Sequence, residues 1–475
     1  MTGQEISNKN RSRLLISLCL IHFLLGLDIN IVSVSCPSIS SYFNINAGIV
    51  TRVIWIYFLV LTGLMLIFGR IGDIKGFRKI YTAGIIVFIS GSALASIPLS
   101  FNFLIFSRVI QAVGAAVLFS LTPAVIALYF PEKSRGKIFG LNYSFTALGG
   151  IIGRAASGFI ISEYGWNSIF YLNIPTGLIS LYLIYRFLPD NLISDINNRF
   201  DIYSAVLVSS GLFLLMLFLN TGNQWGWTSS PVIFSIVLSV LFLSLFILRQ
   251  IRSDSPVLDM KIFKNKNISY SVGAFVFIYI ITNGMIYIVP FYLQWIKLIS
   301  IKETGLLMAI PSVMQVIFGF LSGKFSDENS IKKICSAGII FIMVSLIFHI
   351  FLSASSPVYF IIFTLAFYGA SVGFFIPANT NNIMSGAPSQ SRGSVSGFMT
   401  TSIRLGSSFG ALLFSSVFVF FVPVADPVKS GVSSDLMLEG FRWVFITGII
   451  SAIVALILIL NTVSKKLKVR FNFHE

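Results

Sequence analysis

The stretch GRIGDIKGFRK, residues 69–79, closes an apolar run and places one acidic residue and several bases directly after it. A shorter copy, GKFSD at residues 323–327, closes a later apolar run and is again followed by two lysines, Lys332 and Lys333. A pattern of this kind that recurs at a long interval indicates an internal repeat. The repeat predicts a fold built from two related halves.

The composition of the chain excludes a soluble protein. Of its 475 residues, 56% are hydrophobic and only 11% are charged, whereas a soluble domain has about 25% charged residues. The formal net charge of +16 does not indicate nucleic-acid binding, because the bases lie in short loops between apolar runs and not on a separate domain. We therefore predict an all-α integral membrane protein whose solvent is lipid.

The apolar runs define the expected topology. A helix needs about 20 apolar residues to cross a bilayer, and the sequence contains fourteen such runs. Loops rich in lysine and arginine alternate with nearly bare ones, which predicts both termini in the cytoplasm of a multi-pass protein in the cell membrane. We expect a six-helix half at residues 1–190, two linker helices at residues 191–260 and a second six-helix half at residues 261–475. Such halved folds are typical of secondary transporters, with the binding site between the halves.

Several motifs, taken in order, resemble those of the major facilitator superfamily, specifically its fourteen-helix drug:proton antiporter branch. The similarity covers nearly the whole chain. It includes GLDINIVSVSCPSI at residues 26–39 in helix 1 and the loop at residues 69–79 between helices 2 and 3. The other matching positions are Arg108, Gln111 and Gly114 in helix 4, Trp166, Phe170, Asn173 and Pro175 near helix 6, and Arg404 in helix 13.

The resemblance implies a major facilitator fold and proton-coupled efflux of a small organic or amphiphilic compound by alternating access. It also implies that a gating loop stabilises one state of the cycle, with Asp327 in the mirrored position of the second half. The residues of that loop are Gly69, Asp73, Gly76, Arg78 and Lys79.

Helix 5 departs from the pattern of this branch, which runs G-x-x-x-G-P-x-x-G-G. Gly149 and Gly153 fit, but Arg154 stands in place of the proline and Ser157 in place of a glycine. Because the motif is associated with antiport, the direction and coupling of transport stay open. The small residues Gly149, Gly153 and Ser157 still predict a close helix contact on one face.

An acidic residue deep in a membrane span indicates function, because an intramembrane charge is energetically expensive. Asp28 is the acidic residue placed there, and Arg108 and Arg154 are expected at comparable depths. We predict that these three form a charge cluster involved in proton coupling. The alternatives are a fixed ion pair that only locks the helices and, for Arg154, a side chain that reaches the outer headgroups. With Arg404 added, the pocket is net positive, which favours an organic anion over a quaternary cation.

Further polar and aromatic side chains are candidates for the substrate pathway, with helix packing or an interfacial aromatic belt as the alternatives. They are Asn30, Gln111, Asn379, Asn382, Tyr57 and Tyr287, in addition to Arg404. His22 is nearly opposite Asp28 on helix 1 and is expected to pack rather than relay protons.

Catalysis is not indicated. No Walker A or H-E-x-x-H pattern and no Cys/His cluster occurs in the sequence, so we expect no enzyme activity, no cofactor and no metal site. The expected partners are a small-molecule substrate, protons and membrane lipid, with no nucleic acid, around a monomer. The alternatives are a facilitator or symporter for an anionic metabolite and, from another class, a non-transporting membrane protein on the same fold, such as a receptor, a lipid scramblase or an assembly factor.

Overall fold

The computed structural model describes residues 7–189, 200–253, 255–328, 330–423 and 432–462. Within these residues, fourteen helices are long and apolar enough to cross a membrane. They are α1 (Asn8–Phe43), α2 (Arg52–Lys75), α3 (Phe77–Ala95), α4 (Phe101–Tyr129), α5 (Arg135–Tyr164), α6 (Ser168–Phe187, with a break at Leu172), α7 (Ile202–Trp225), α8 (Ser230–Arg252), α9 (Lys266–Phe291), α10 (Ile301–Glu328), α11 (Ile331–Ile350), α12 (Val358–Gly386), α13 (Arg392–Phe421) and α14 (Ser434–Leu460). The predicted all-α, fourteen-helix membrane fold is confirmed.

The turns between helices use residues suited to them. Gly76 has φ +89° between α2 and α3, a left-handed conformation that residues with a side chain rarely adopt. Ser100 begins α4, and its hydroxyl accepts a hydrogen bond from the backbone N–H of Phe103 at 3.1 Å, which satisfies an unpaired donor of the first turn. Consecutive helices run antiparallel, so the loops with residues 75–79, 132–135, 330–331 and 389–392 meet at one end of the bundle. We call it the basic end.

We group the helices by their order in the chain and call α1–α6 the N-terminal group and α9–α14 the C-terminal group. α1 packs along α5, and α4 packs along α3 within the N-terminal group, while α9 packs along α13 and α10 along α12 within the C-terminal group. The prediction that small residues line one face of α5 is confirmed, because Gly149 lies against Phe23, Gly153 lies against Leu27, and Ser157 is fully buried. A side chain at either glycine would collide with α1.

The linker helix α7 lies against both groups, and α8 packs on α7. Ser209 of α7 donates a hydrogen bond to the Gly63 carbonyl of α2 at 3.0 Å, and Ser408 of α13 contacts the Met216 sulfur of α7 at 3.3 Å. The predicted domain boundary near residue 190, both chain termini and residues 424–431 of the loop after α13 lie outside the described residues. The division of the chain at residues 190 and 260 and the cytoplasmic location of the termini therefore stay predictions.

Glycines bring the two groups together at the basic end. A β-carbon at Gly69 of α2 would collide with the carbonyl of Gly393 of α13, and one at Gly140 of α5 would collide with that of Gly319 of α10. Toward the opposite end the same two helices, α5 and α10, separate: Gly158 and Gly305 have nothing within 4 Å of their β-carbon positions. The two groups are thus in contact at the basic end and splayed at the other.

Candidate functional site

The acidic residue of α1 forms a buried ion pair with α4. Nη1 of Arg108 lies 3.1 Å from Oδ2 of Asp28, with the side chains 2% and 0% exposed. Both residues were expected in one charge cluster, and the structure brings them together. Breaking such a pair leaves a buried charge without compensation, so the pair holds α1 and α4 in one arrangement.

Amide side chains complete the shell of the carboxylate. Nε2 of Gln111 donates to Oδ1 of Asp28 at 2.8 Å, and Nδ2 of Asn173 donates to the same oxygen at 2.9 Å. Both amides also donate to the hydroxyl of Ser92, at 2.7 and 3.3 Å. All three side chains donate to the carboxylate, which matches the ionised form because an ionised carboxylate only accepts hydrogen bonds. The network joins α1, α3, α4 and α6.

The guanidinium of Arg108 is enclosed on its other sides. Its Nε donates to the Val53 carbonyl at 3.4 Å, and its carbon lies 4.1 Å from the centroid of the Tyr57 ring and 5.9 Å from that of Phe170. Cation–π contacts of this kind are worth more in a desolvated site. Tyr57 is therefore a neighbour of the ion pair, although it was predicted to line the substrate pathway.

A cavity of about 320 Å³ lies between the two groups of helices, within the range of small-molecule sites. Its lining residues come from both groups and include two cations and no aspartate or glutamate among the described residues. We call it the central cavity. Its polar and charged lining residues are His22, Asn30, Asn142, Tyr143, Thr146, Arg154, Tyr279, Ser312, Gln315, Thr380, Thr400 and Arg404.

The structure places Arg154 in the central cavity and separates it from the Asp28–Arg108 pair. Its Nη1 donates to Oδ1 of Asn30 at 2.9 Å, and its Nη2 donates to the hydroxyl of Ser312 at 3.1 Å. The predicted cluster of three is corrected to a pair for a geometric reason. Asp28 and Asn30 are two residues apart on α1, about 200° around the helix, so a neighbour of Asn30 faces away from Asp28.

Arg404 enters the same cavity from α13 with a different environment. Its guanidinium carbon lies 4.8 Å from the centroid of the Phe119 ring and 5.4 Å from that of Phe58. Two aromatic faces from the N-terminal group thus contact a cation of the C-terminal group. The expected addition of Arg404 to a positive pocket agrees with this position.

His22 lines the central cavity, although the sequence suggested a packing role. Its Nδ1 lies 3.0 Å from the Thr146 hydroxyl, and its ring meets Phe119 edge-on at 5.8 Å between centroids. Nε2 has no hydrogen-bond partner among the described residues. His22, Gly26 and Asn30 follow one another at intervals of four residues, a spacing that places them on one face of α1. Only the packing of α1 on α5 shows that this face borders the cavity.

Of the predicted pathway residues, Asn30 and Arg404 line the central cavity and five others have different contacts. Gln111 and Tyr57 contact the ion pair. Asn379 and Asn382 of α12 donate to the carbonyl and the hydroxyl of Ser271 of α9, at 2.9 and 2.8 Å, so they join helices. The ring of Tyr287 meets that of Phe291 edge-on, with ring centroids 5.3 Å apart. Amide side chains can form hydrogen bonds, and aromatic rings can pack, at contacts between helices. The spacing of such residues in the sequence does not distinguish a helix contact from a cavity wall.

The predicted gating loop lies at the contact between the two groups. Asp73 accepts hydrogen bonds from the backbone N–H groups of Gly393 and Ser394, both at 2.7 Å, and from the Ser394 hydroxyl at 2.8 Å. These donors form the first turn of α13, where a negative charge is favourable. Beside them, Arg392 donates to the Ala127 carbonyl of α4 at 2.7 Å.

The other gating residues have separate places. Gly69 packs on α13 and Gly76 forms the turn. The guanidinium carbon of Arg78 lies 4.8 Å from the centroid of the Tyr185 ring, and Lys79 is exposed. The side chain of Asp327 lies outside the described residues.

Two groups of six membrane helices, joined at one end around a polar cavity, are the architecture typical of secondary transporters. The chain belongs to the Major Facilitator Superfamily, whose family model matches residues 18–411. It is therefore a multi-pass membrane transporter and not an enzyme.

Relatives of known name span most of the chain. The riboflavin transporter RibZ of Clostridioides difficile (strain 630) is 31% identical over 428 residues, which cover 90% of this chain and 92% of that protein. The multidrug resistance protein Stp of Mycobacterium tuberculosis (strain ATCC 25618 / H37Rv) is 25% identical over 432 residues, 88% of this chain and 79% of that protein.

Solved structures show the same fold at low identity. The human organic anion transporter MFSD10 matches with a TM-score of 0.64 and 15% identity, covering 94% of this chain and 97% of that chain. The proton:xylose symporter XylE matches with a TM-score of 0.63 and 15% identity, covering 96% of each chain.

Proposed function

We propose that the protein exports a small organic compound from the cytoplasm by alternating access in exchange for protons, with Asp28 as the proton-binding residue. The observation that carries the proposal is the buried Asp28–Arg108 pair on the helix that also forms the cavity wall. Asp28 lies on one face of α1, and Asn30 lies on the opposite face in the central cavity. A change in the protonation of the Asp28 carboxylate can therefore act on the cavity wall through a movement of α1 alone.

The ionised carboxylate fits the state seen here. Arg108, Gln111 and Asn173 all donate to Asp28, so protonation would remove the charge that these donors face. We propose that proton binding loosens α1 from α4 and α6 and favours the opposite state of the cycle. With the basic end in the cytoplasm, the closed contact at Asp73 and the splay at Gly158 and Gly305 correspond to a cavity open to the outside.

The substrate class follows from charge. The central cavity carries Arg154 and Arg404 and no carboxylate among its described lining residues, so the field in it favours anions and strong hydrogen-bond acceptors. The names of relatives point to aromatic compounds and drugs as candidate substrates: one transports riboflavin and another confers multidrug resistance.

The test is substrate-driven proton flux in proteoliposomes with a pH-sensitive dye inside. Riboflavin, an anionic dye such as fluorescein and the cation ethidium are supplied as outward or inward gradients. Antiport predicts that protons move against the direction of the compound, in a signal abolished by a protonophore. Proton movement in the same direction supports symport of an anionic compound. Transport of ethidium alone contradicts the anionic class.

Symport or facilitated transport of an anionic metabolite is the second candidate. One observation favours it: Arg154 occupies the position at which antiporters of the resembled branch carry proline, and it points into the cavity. The sign of the proton flux separates the two candidates.

Replacing Asp73 by asparagine is expected to open the basic end. A carboxylate in the first turn of a helix is worth up to about 2 kcal/mol, and asparagine keeps the shape but removes the charge that faces Gly393 and Ser394. We expect the closed state to lose about tenfold in relative population. The measurement is the rate at which an impermeant maleimide labels Ser120→Cys, a buried position in the contact, after replacement of the three native cysteines.

The control is Lys75→Gln, an exposed change close to Asp73 that is not one of the named gating residues, which should leave the labelling rate unchanged. Equal rates for Asp73→Asn and the parent would contradict the gating role.

A further inference from the structure

One wall of the central cavity is built from two matched rows of side chains. His22, Gly26 and Asn30 follow one another at four-residue spacing on α1, and Thr146, Gly150 and Arg154 do the same on α5. A β-carbon at Gly26 would collide with the Thr146 carbonyl, and one at Gly150 would lie 2.9 Å from Nδ2 of Asn30. The glycines bring the two helices together, and the polar residues are paired by hydrogen bonds at the two ends of the rows. His22 pairs with Thr146, and Asn30 pairs with Arg154.

The charge of Arg154 is not neutralised by its partners. Asn30 and Ser312 are neutral, and no carboxylate lines the cavity in the part of the chain that the structure describes. A guanidinium has five N–H donors in a planar fork, and two side-chain bonds leave a face for a ligand. A charge within membrane depth is stabilised by a counter-charge, and a carboxylate or phosphate fits the fork with two parallel bonds.

Arg404 provides an internal contrast. Its charge faces the rings of Phe119 and Phe58, which offer a negative π surface. Arg154 has no such ring contact in the described structure, so it is the cation of this cavity that lacks electrostatic compensation.

We propose that Arg154 binds the carboxylate or phosphate group of the transported compound, with Ser312 completing the site from the other group of helices. The inference rests on the proposed function and names the substrate class. The remainder of the compound extends along the α1–α5 wall toward His22, whose buried Nε2 has no partner among the described residues. Arg154 and Thr146 are eight residues apart, about 12 Å along α5, so the compound is an organic anion with a hydrogen-bonding group about that far from its charge.

Binding of the anion also changes the contact between the groups. Nη2 of Arg154 reaches Ser312 across the splayed side of the cavity, and the anion takes over donors that now hold this bridge. Occupancy of the site therefore changes a contact between α5 and α10, the helices that separate toward the open end.

The test measures binding to the purified protein in lipid nanodiscs with matched pairs of fluorescent probes. Each pair differs by one anionic group: riboflavin 5′-phosphate with riboflavin, which also carry hydrogen-bonding groups far from the charge, and anthracene-9-carboxylate with anthracene-9-methanol, which test the charge alone. For at least one pair we expect the parent protein to bind the anion about tenfold more tightly than the neutral partner. Arg154→Gln should lose this preference while its affinity for the neutral probe stays close to that of the parent.

Two further variants show whether anion binding depends on the charge at residue 154, on the planar guanidinium, or on the position of the cation in the cavity. Arg154→Lys should keep an intermediate preference, because it retains the charge but not the planar fork. Arg404→Gln should weaken both members of a pair and keep the preference between them. An Arg154→Gln protein that still prefers the anion, or a parent protein without a preference in either pair, overturns the inference.

The proposed function fails on a different readout. If the parent binds anions through Arg154 but no compound drives proton flux, the proton coupling is wrong and the anion site stands. If proton-coupled transport occurs and Arg154→Gln keeps the anion preference, the site is wrong and the coupling stands.

Discussion

Asp28→Asn is expected to reduce substrate-driven proton flux to the level of empty liposomes. The asparagine retains the size of the carboxylate and can still accept one hydrogen bond, but it cannot bind and release a proton. It also leaves Arg108 without its counter-ion in a fully buried position. Since the carboxylate is held by Arg108, Gln111 and Asn173 at once, the neutral side chain should leave the transporter in one state of its cycle.

The measurement is proton flux in proteoliposomes together with counterflow, in which labelled compound exchanges across the membrane without a proton gradient. We expect Asp28→Asn to lose the flux and its dependence on pH. Size-exclusion chromatography and thermal unfolding show whether the variant folds. Asp28→Glu, which retains a titratable group, should recover part of the flux.

The matched control is Asp201→Asn. Asp201 also pairs with an arginine, at 2.8 Å from Arg249, but the arginine is exposed, and Asp201 begins α7, where asparagine serves equally well as a helix cap. The hydrogen bonds from Arg249 and Ser204, against the opposing effect of desolvation, hold the pKa of Asp201 below its ordinary value. Its charge is thus constant at neutral pH, and we expect unchanged proton flux. An Asp28→Asn protein with the pH dependence of the parent would refute proton coupling at Asp28.

Arg108→Leu is expected to lower the free energy of unfolding by about 3–5 kcal/mol, because it leaves the carboxylate of Asp28 buried without a cation. Leucine fills part of the space but offers no donor, and the ring of Tyr57 loses the cation above it. The network that joins α1, α3, α4 and α6 then retains only the amides of Gln111 and Asn173 around a charge.

A double-mutant cycle tests this explanation. Asp28→Asn combined with Arg108→Leu removes both charges, so the double variant should be more stable than the sum of the two single changes predicts. Thermal unfolding in detergent, followed by the fluorescence of a thiol-reactive dye, gives the four midpoints. Arg249→Leu is the control, since an exposed pair contributes about 0–1 kcal/mol. Strict additivity of the two changes would show that Asp28 and Arg108 do not stabilise each other.

The sequence predicted the outline of the site because its signals are local. An aspartate in an apolar run is expensive without a partner, and Arg108, expected at a comparable depth, was placed in the same charge cluster. The glycines of α5 predicted a close helix contact for the same local reason. Asn173 was visible only as part of the motif with Trp166, and nothing in its spacing indicated that it contacts Asp28.

Contacts between distant helices were beyond the reach of the sequence. Arg154 and Asp28 are at similar depths in adjacent helices, and depth alone suggested a pair. The rotation of α1 decides otherwise, because it turns Asp28 toward α4 and Asn30 toward the cavity. His22 shows the same limit of sequence analysis. The spacing places His22 nearly opposite Asp28 on α1, but it does not show that this opposite face is the wall of the cavity.

By itself, the sequence determined that this chain is a fourteen-helix membrane protein with a buried acid. In a lipid environment, the length of each apolar run identifies a membrane-spanning helix, and a rare charge within such a run identifies a candidate functional residue. The tertiary structure alone decided which arginine neutralises that acid and which one is left facing the cavity. The reason is that partner choice depends on the rotation of each helix about its axis and on where glycines let two helices touch, and both are fixed by packing against helices that are distant in the sequence.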